Sequence, residues 1–420
     1  MSRATLIAAL SRACERHNAI LSSGSFNANP LGPVFMHVPD DLHIAACNLP
    51  ELAELDRMLF NQGTMATTFT IPHLLQALVA NAVERGVDQA IASMDRFLAA
   101  DSNRCIDVLL LEGVSVSGST EVAPGIFLCA PSSVPSSSLQ KYLRFQSIPQ
   151  PRPPLPLVPL FDREQQTPRS VLYTIREVRP KFFIESIGFP PVSETPAIYQ
   201  IAEILTVAGP SSPLVFKSYS ELADGEFMKD WVGSSLGRAN NETRVFKSPE
   251  LTIRQVDDFK GVVAKYLTLA PQVKMKLKVP LHRLNEAVKH QNNVDRALDL
   301  GIALESLLLA HQPSKEQLSL QFRLRGAWLL GKNGQHRAEL FDTFNKLYSY
   351  RSFAAHSGAV APTKTPEEEV KKTLEDGLAL CAEAVCKIVE KGGFPEWNRL
   401  VVGADYMVDE EREHSDSEAE

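Results

Sequence analysis

Val294-Asp-Arg-Ala-Leu-Asp-Leu-Gly-Ile-Ala-Leu-Glu-Ser-Leu-Leu-Leu-Ala310 is the stretch that decides the fold of the C-terminal part of this chain. Its apolar residues recur at intervals of three and four, which predicts an amphipathic helix with one buried face. They occupy positions 294, 297, 298, 301, 302, 304, 307 and 308. Because a single helix of this length is marginal in water, this face predicts packing against neighbouring helices.

The same periodicity continues on both sides of this stretch and predicts helices over 251–269, 275–290 and 337–355. Two capping motifs, at 313–317 and 365–368, predict the starts of helices that end near Leu330 and Gly392. Short connections between long helices favour antiparallel neighbours. Residues 249–400 are therefore predicted to form an all-α, up-and-down helical bundle.

The sequence before the bundle predicts a mixed architecture, so the fold class expected for the whole chain is α+β multidomain. Residues 1–148 read as a mixed α/β region, 149–160 as a proline-rich linker, and 161–248 as a mostly β region. The predicted helices there are 52–60 and 74–99, and the predicted strands are 106–111, 114–117, 125–129, 171–178, 182–187, 198–207 and 214–219. Residues 409–420 are predicted to be a disordered acidic tail.

Composition excludes several classes of protein. No apolar run approaches the roughly 20 residues that span a bilayer, and the first helix is not typical of a signal peptide. The six cysteines form no Cys-x-x-Cys pair and no His cluster lies beside them, which favours a cytoplasmic protein without a zinc site. The stretch Gly326–Asn333 lacks the Ser or Thr that follows the lysine of a P-loop. No cofactor is expected.

The charge is distributed unevenly along the chain. The formal net charge is -7, but residues 409–420 hold seven acids and one base. Residues 261–360 hold fourteen Lys and Arg against seven Asp and Glu, a net of +7. A local positive field of this kind attracts polyanions such as RNA, although a solvated helical surface would have the same composition.

The basic region contains Tyr348-Ser-Tyr-Arg-Ser-Phe-Ala-Ala-His-Ser-Gly358, which places Arg351 five residues before His356. Arginine can bind a phosphate through two parallel hydrogen bonds, and histidine can transfer protons near neutral pH. Five residues correspond to about 140° around an ideal helix, so strict geometry does not put the two on one face. Ser352, four residues before His356, is expected to orient the imidazole. A helix-capping histidine beside a surface arginine is the alternative interpretation.

Three ordered blocks of the bundle resemble the Apea-like branch of the HEPN superfamily. They are Leu298-Asp-Leu-Gly-Ile-Ala-Leu-Glu-Ser-Leu307, Gln321-Phe-Arg-Leu-Arg-Gly-Ala-Trp-Leu-Leu330 and Leu347-Tyr-Ser-Tyr-Arg-Ser-Phe-Ala-Ala-His-Ser-Gly358. The resemblance covers about residues 275–392. Ser357 separates His356 from Gly358, where members often have His-Gly directly.

The resemblance implies a bundle that dimerises so that two Arg/His motifs meet in one cleft, with metal-independent endoribonuclease activity in toxin or anti-phage defence settings. Arg351 would hold the scissile phosphate and His356 would transfer protons. The resemblance implies accessory roles for four further residues, Ser352, Glu305, Asp299 and Tyr348. The alternative for Glu305 and Asp299 is an ion pair that holds two helices together. RNA contacts are expected from Arg323, Arg325 and Lys346. The first 248 residues would bind an unknown trigger or partner. The alternative is a non-catalytic HEPN dimerisation scaffold whose N-terminal half binds a partner or ligand.

Overall fold

The structure is a computed structural model that divides into two compact units, which are described separately below. It describes residues 3–22, 38–63, 66–135, 168–184, 196–229, 235–238, 248–309 and 317–402. The first unit contains residues 1–111, 125–194 and 215–241, and the second contains residues 112–124, 195–214 and 242–420. The predicted linker 149–160, the acidic tail 409–420 and the capping motif at Ser314 lie outside the described residues.

The first unit combines helices with two sheets. Its described helices are α1 (Arg3–Ser22), α2 (Asp40–Cys47), α3 (Pro50–Ala53), α4 (Ile71–Arg85) and α5 (Val87–Ala99). The smaller sheet contains β1 (Leu59–Asn61), β2 (Ala66–Thr68) and β7 (Phe182–Phe183), in the order β2-β1-β7. The helix expected over 52–60 is wrong, because that segment contains the end of α3 and the start of β1.

The larger sheet joins strands that the sequence assigned to separate regions. Its strands in this unit are β3 (Asn103–Glu112), β5 (Ile126–Cys129), β6 (Ser170–Val178), β8 (Leu214–Leu222) and β9 (Ser235–Arg238), in the order β5-β6-β3-β8-β9. β3 pairs antiparallel with β6, with Asn103 opposite Val178 and Leu111 opposite Ser170. The division at 149–160 into an α/β region and a β region therefore differs from the structure, since β3 and β6 hydrogen-bond within one sheet.

The core of the first unit lies on both faces of β3. Cys105 packs with the apolar faces of the helices, whereas Ile106, Val108 and Leu110 pack with β5 and β6 residues on the other side. Side chains alternate between faces along a strand, so a strand covered on both faces must be apolar throughout. The strand predicted over 106–111 is therefore found, and its one charged residue, Asp107, is buried with hydrogen bonds from Arg176 Nε and Ser220 Oγ.

The second unit is mainly helical. Its helices are α6 (Ala197–Ile204), α7 (Ile253–Thr268), α8 (Pro271–Lys289), α9 (Asn293–Leu308), α10 (Leu318–Leu330), α11 (Gly334–Ser357), α12 (Glu367–Glu390) and α13 (Trp397–Val401). It also contains the strand β4 (Ser119–Ala123), which packs against α7. The strand expected over 198–207 is wrong. Ile198, Ile201 and Ala202 are buried at helical spacing there, and this packing outweighs the β propensity of the segment.

Capping residues determine where the helices of the bundle begin and end. The Asn292 side chain accepts a hydrogen bond from Val294 N at 2.8 Å, and Asn333 caps α11 at His336 N. Gly358 ends α11 in the left-handed conformation, with φ 68°. At the start of α12, however, the N-cap residue is Pro366 without a side-chain cap, so the cap expected from Thr365 is wrong.

Helices α8 and α9 pack together, as do α10 and α11, and α9 also contacts α11 and α12. These contacts bury Leu300, Leu304, Leu307 and Leu308 of α9. The mixed α/β N-terminal region and the helical C-terminal half are thus confirmed. Within the described ranges, no helix combines the length and the apolar character needed to cross a bilayer.

One cysteine gives the first unit a specific response to alkaline pH. Cys129 is fully buried, and burial raises the pKa of its thiol from 9.0 to about 12. The stability that the protonated thiol contributes is complete below pH 9 and is lost as pH rises towards 12. Relative to Cys129→Ala, the wild type should lose about 1.4 kcal/mol of unfolding free energy per pH unit above 9.

Urea unfolding of both proteins between pH 7.5 and pH 10.5 would measure this difference. Cys47, whose side chain is exposed, provides the control: Cys47→Ala should track the wild type at every pH. A constant difference between wild type and Cys129→Ala across pH 9 would contradict the prediction.

Candidate functional site

The candidate site lies in the last two turns of α11, where the chain carries Arg351 and His356 before the glycine cap. The helix continues through Ser357, so the residue that separates His356 from Gly358 is the last helical residue. Ser357 Oγ donates to the Phe353 carbonyl at 2.7 Å. The additional residue is therefore absorbed within the helix, and the stop at Gly358 follows directly.

Arg351 is held between α11 and α9. Its Nη2 donates to Glu305 Oε2 at 3.1 Å, and the side chain retains 32% of its exposure. Arg351 Nε is buried, and it has no hydrogen-bond partner within the part of the chain that the structure describes. One side of the guanidinium is thus anchored, while a strong donor remains unused.

Gly301 makes this position possible. A Cβ atom built on Gly301 would lie 2.6 Å from Arg351 Cβ and closer still to Arg351 Cγ. Real carbon atoms do not approach so closely, so any side chain at 301 would push Arg351 away from α9. The glycine is what lets the aliphatic part of Arg351 lie directly against the α9 backbone.

His356 occupies the final turn of the same helix and is exposed. Among the described residues, no hydrogen bond joins it to Arg351, and the expected bond from Ser352 is not formed. Tyr348 packs with its ring centre 5.3 Å from that of Phe322, which is a packing role. Within one chain, therefore, no hydrogen bond among the described residues links the two groups of the candidate site.

The two acids of α9 have different partners. Burial raises the pKa of Glu305, and the Arg351 guanidinium opposes this effect. Asp299 instead accepts hydrogen bonds from Arg283 Nη1 at 2.7 Å and His290 Nε2 at 2.8 Å. Glu305 thus belongs to the candidate site, whereas Asp299 braces α8 to α9.

The three residues that were expected to bind RNA lie in different environments. Arg325 retains only 7% exposure and donates to the Leu308 carbonyl at 2.8 Å, so the structure does not place it where RNA could reach it. Arg323 is half-buried and donates to Asn345 Oδ1 at 3.2 Å. Lys346 is exposed and paired with Glu369 at 2.8 Å, and this hydrogen bond raises the pKa of the amine.

Sequence reasoning missed the role of Gly301 and the partners of Asp299. Gly301 was counted within an apolar face, although a glycine inside a helix costs about 1 kcal/mol relative to alanine. A glycine at such a cost indicates that another part of the chain packs closely against the helix backbone at this position. The sequence does not predict that Asp299 accepts hydrogen bonds from Arg283 and His290. The relative positions of two neighbouring helices depend on their packing and not on the local sequence of either.

Among the residues that the structure describes, no group of three or more His, Cys, Asp or Glu side chains is arranged to hold a metal ion. Comparisons with family models, curated proteins and solved structures found no match to this chain.

Proposed function

We propose that this protein is a metal-independent endoribonuclease of the HEPN type, acting as a toxin or defence effector. The observation that carries the proposal is the pairing of an anchored arginine with an exposed histidine near one helix end. Arg351 is fixed by Glu305 while its side chain keeps 32% of its exposure, and His356 is accessible. The setting in defence rests on the sequence resemblance alone.

In this proposal Arg351 binds the scissile phosphate of RNA. A guanidinium presents a planar set of donors that matches two phosphate oxygens. The fixed Glu305 contact limits the conformations of the side chain, so less entropy is lost when the phosphate binds. As negative charge builds on the phosphate oxygens, the positive charge of Arg351 stabilises it.

His356 supplies the proton transfer. The ribose 2′-oxygen attacks the phosphorus atom and loses its proton, and the bond from phosphorus to the 5′-oxygen breaks as that oxygen gains a proton. The products are a 2′,3′-cyclic phosphate and a 5′-hydroxyl end. The RNA supplies every atom of the two products except the proton on the 5′-oxygen, which an imidazole supplies.

A second copy of the chain completes the site in this proposal. Arg351 and His356 are offset by about 140° on an ideal helix, and among the described residues no hydrogen bond joins them. Two copies related by a twofold axis would present two arginines and two histidines to one RNA strand. RNA and a homodimer are therefore the proposed partners.

Cleavage of RNA in EDTA tests the proposal. The full-length protein should cut RNA and leave 2′,3′-cyclic phosphate ends, and it should not cut a substrate with 2′-deoxyribose at the same positions. Mass spectrometry of the products identifies the ends. Cleavage of the deoxy substrate, or ends with a free 3′-hydroxyl, would rule out attack by the 2′-oxygen.

The non-catalytic scaffold remains the second candidate, because one observation favours it. The Arg351–Glu305 ion pair, together with the contact at Gly301, also serves to fasten α11 to α9. A scaffold requires this contact between α9 and α11, whereas it does not require an exposed His356. Absence of RNA cleavage by a protein that still forms dimers would favour the scaffold.

A further inference from the structure

The first unit contains a cavity of about 510 Å³ that the proposed nuclease does not use. It lies between α4, α5, the start of β3, the end of β6 and residues 224–229. Small-molecule sites usually occupy about 300 to 1,000 Å³, so a metabolite of moderate size would fill it.

A buried lysine lines this cavity. Lys181 is only 2% exposed, and its Nζ donates to the carbonyls of Phe97 and Ala100 at the end of α5. Burial lowers the pKa of the amine to about 8, so it is still mostly charged at neutral pH. Both acceptors are neutral carbonyls, and no carboxylate pairs with this amine within the described ranges.

Two arginines add to this positive charge. Arg96 lines the same cavity, and within the described part of the chain it donates to two neutral atoms, the Ala92 carbonyl at 3.4 Å and Ser93 Oγ at 3.2 Å. Arg104 also lines it and forms no salt bridge with any described residue. Three cations therefore line one cavity, and among the residues that the structure describes none of them lies within ion-pair distance of a carboxylate.

Acidic residues in the same wall do not cancel this excess. Three of the four are occupied by other cations, in the pairs Asp224–Lys229 at 2.6 Å, Glu84–Arg85 at 3.7 Å and Glu177–Arg179 at 3.3 Å. The fourth is Glu226, whose pKa is raised by burial, with Arg104 and Lys181 opposing the rise. An incoming anion would thus meet three cations and one carboxyl group, Glu226, that has no ion-pair partner among the described residues.

Two aromatic rings complete the wall. The ring centres of Phe97 and Phe227 lie 5.6 Å apart with an interplanar angle of 34°, and both residues line the cavity. Aromatic side chains of this kind stack on flat heteroaromatic groups. Lys181 Nζ lies 3.8 Å from the centre of the Phe97 ring and covers its face, which leaves the half-buried Phe227 ring as the stacking surface. We propose that the cavity binds a nucleoside phosphate, with the phosphate held by Arg96, Arg104 and Lys181 and the base against Phe227.

Isothermal titration of the full-length protein with adenosine 5′-monophosphate and uridine 5′-monophosphate tests this site. At least one nucleotide should bind, and adenosine, uridine and inorganic phosphate should each bind at least about tenfold more weakly. Arg96→Gln and Arg104→Gln should each weaken nucleotide binding about tenfold, because each removes a charge-assisted hydrogen bond.

Arg85→Gln is the matched control. Arg85 lines the cavity but is paired with Glu84, so this variant should bind within about twofold of the wild type. Circular dichroism would verify that each variant is folded. No binding of either nucleotide at millimolar concentration, equal binding by Arg96→Gln and Arg104→Gln, or equal binding of inorganic phosphate would overturn the proposal.

The proposed nucleotide site does not depend on the proposed nuclease activity. His356→Ala should bind the nucleotide as the wild type does, because His356 belongs to the other unit. An inactive nuclease that still binds nucleotide would refute only the proposed function, and an active nuclease that binds none would refute only this inference.

Discussion

Arg351→Ala should lower the rate of RNA cleavage in EDTA by about 100-fold or more, and His356→Ala should lower it by about 100-fold. In the proposed mechanism, the first change removes the group that balances charge on the phosphate in the transition state. The second removes the group proposed to transfer protons. Initial rates on a fluorescent single-stranded RNA, at equal protein concentration, measure both losses.

Two exposed residues elsewhere in the second unit provide matched controls. Arg254 lies in α7 with its side chain 91% exposed, and His282 is an exposed residue of α8. Arg254→Ala and His282→Ala remove the same groups from positions outside the candidate site, so both variants should cleave RNA like the wild type. Thermal unfolding would separate a catalytic loss from a loss of fold, because Arg351→Ala also breaks the pair with Glu305.

Equal degradation by the wild type, Arg351→Ala and His356→Ala would show that the cleavage comes from another source. Arg351→Lys refines the interpretation. Lysine keeps the charge but lacks the planar donor set, so it should recover only part of the rate if bidentate contact with phosphate matters.

Gly301→Ala should destabilise the helical unit by about 3 kcal/mol. The added methyl group would lie 2.6 Å from Arg351 Cβ, so α9 and α11 must separate or Arg351 must move. The same displacement would pull the guanidinium from Glu305 and therefore lower any activity that depends on Arg351. Urea unfolding at pH 7 measures the stability.

Gly261→Ala is the matched control for this change. Gly261 is an exposed residue inside α7, and a Cβ built there has no atom within 4 Å. Alanine is a better helix former, so this variant should be more stable by about 0.5 to 1 kcal/mol. If Gly301→Ala were stabilising like Gly261→Ala, the close contact between α9 and α11 would not exist.

A double-mutant cycle makes the Gly301 prediction specific. In an Arg351→Gly background both the Cβ and the Cγ atoms that the added methyl group would meet are absent, so Gly301→Ala should cost clearly less than in the wild type. Additive effects of the two changes would show that the cost of Gly301→Ala arises elsewhere.

The sequence alone determined most of the helices of the second unit. Apolar spacing of three and four predicted α7, α8, α9 and α11, because helical periodicity is a local property of the chain. The glycine stop at Gly358 was predicted for the same reason, since its left-handed backbone requires no distant partner. Local spacing also located the candidate residues Arg351 and His356 and the strands β3 and β6.

The tertiary structure decided everything that depends on partners distant along the chain. It joined β3 to β6 in one sheet, matched Asp299 with Arg283 and His290, and placed Arg325 against Trp397 inside the bundle. It also assembled the cationic cavity from α4, α5, β3 and later segments. Charge and periodicity in a sequence report what a segment can do, whereas packing determines which partner each side chain meets and which charges stay unpaired.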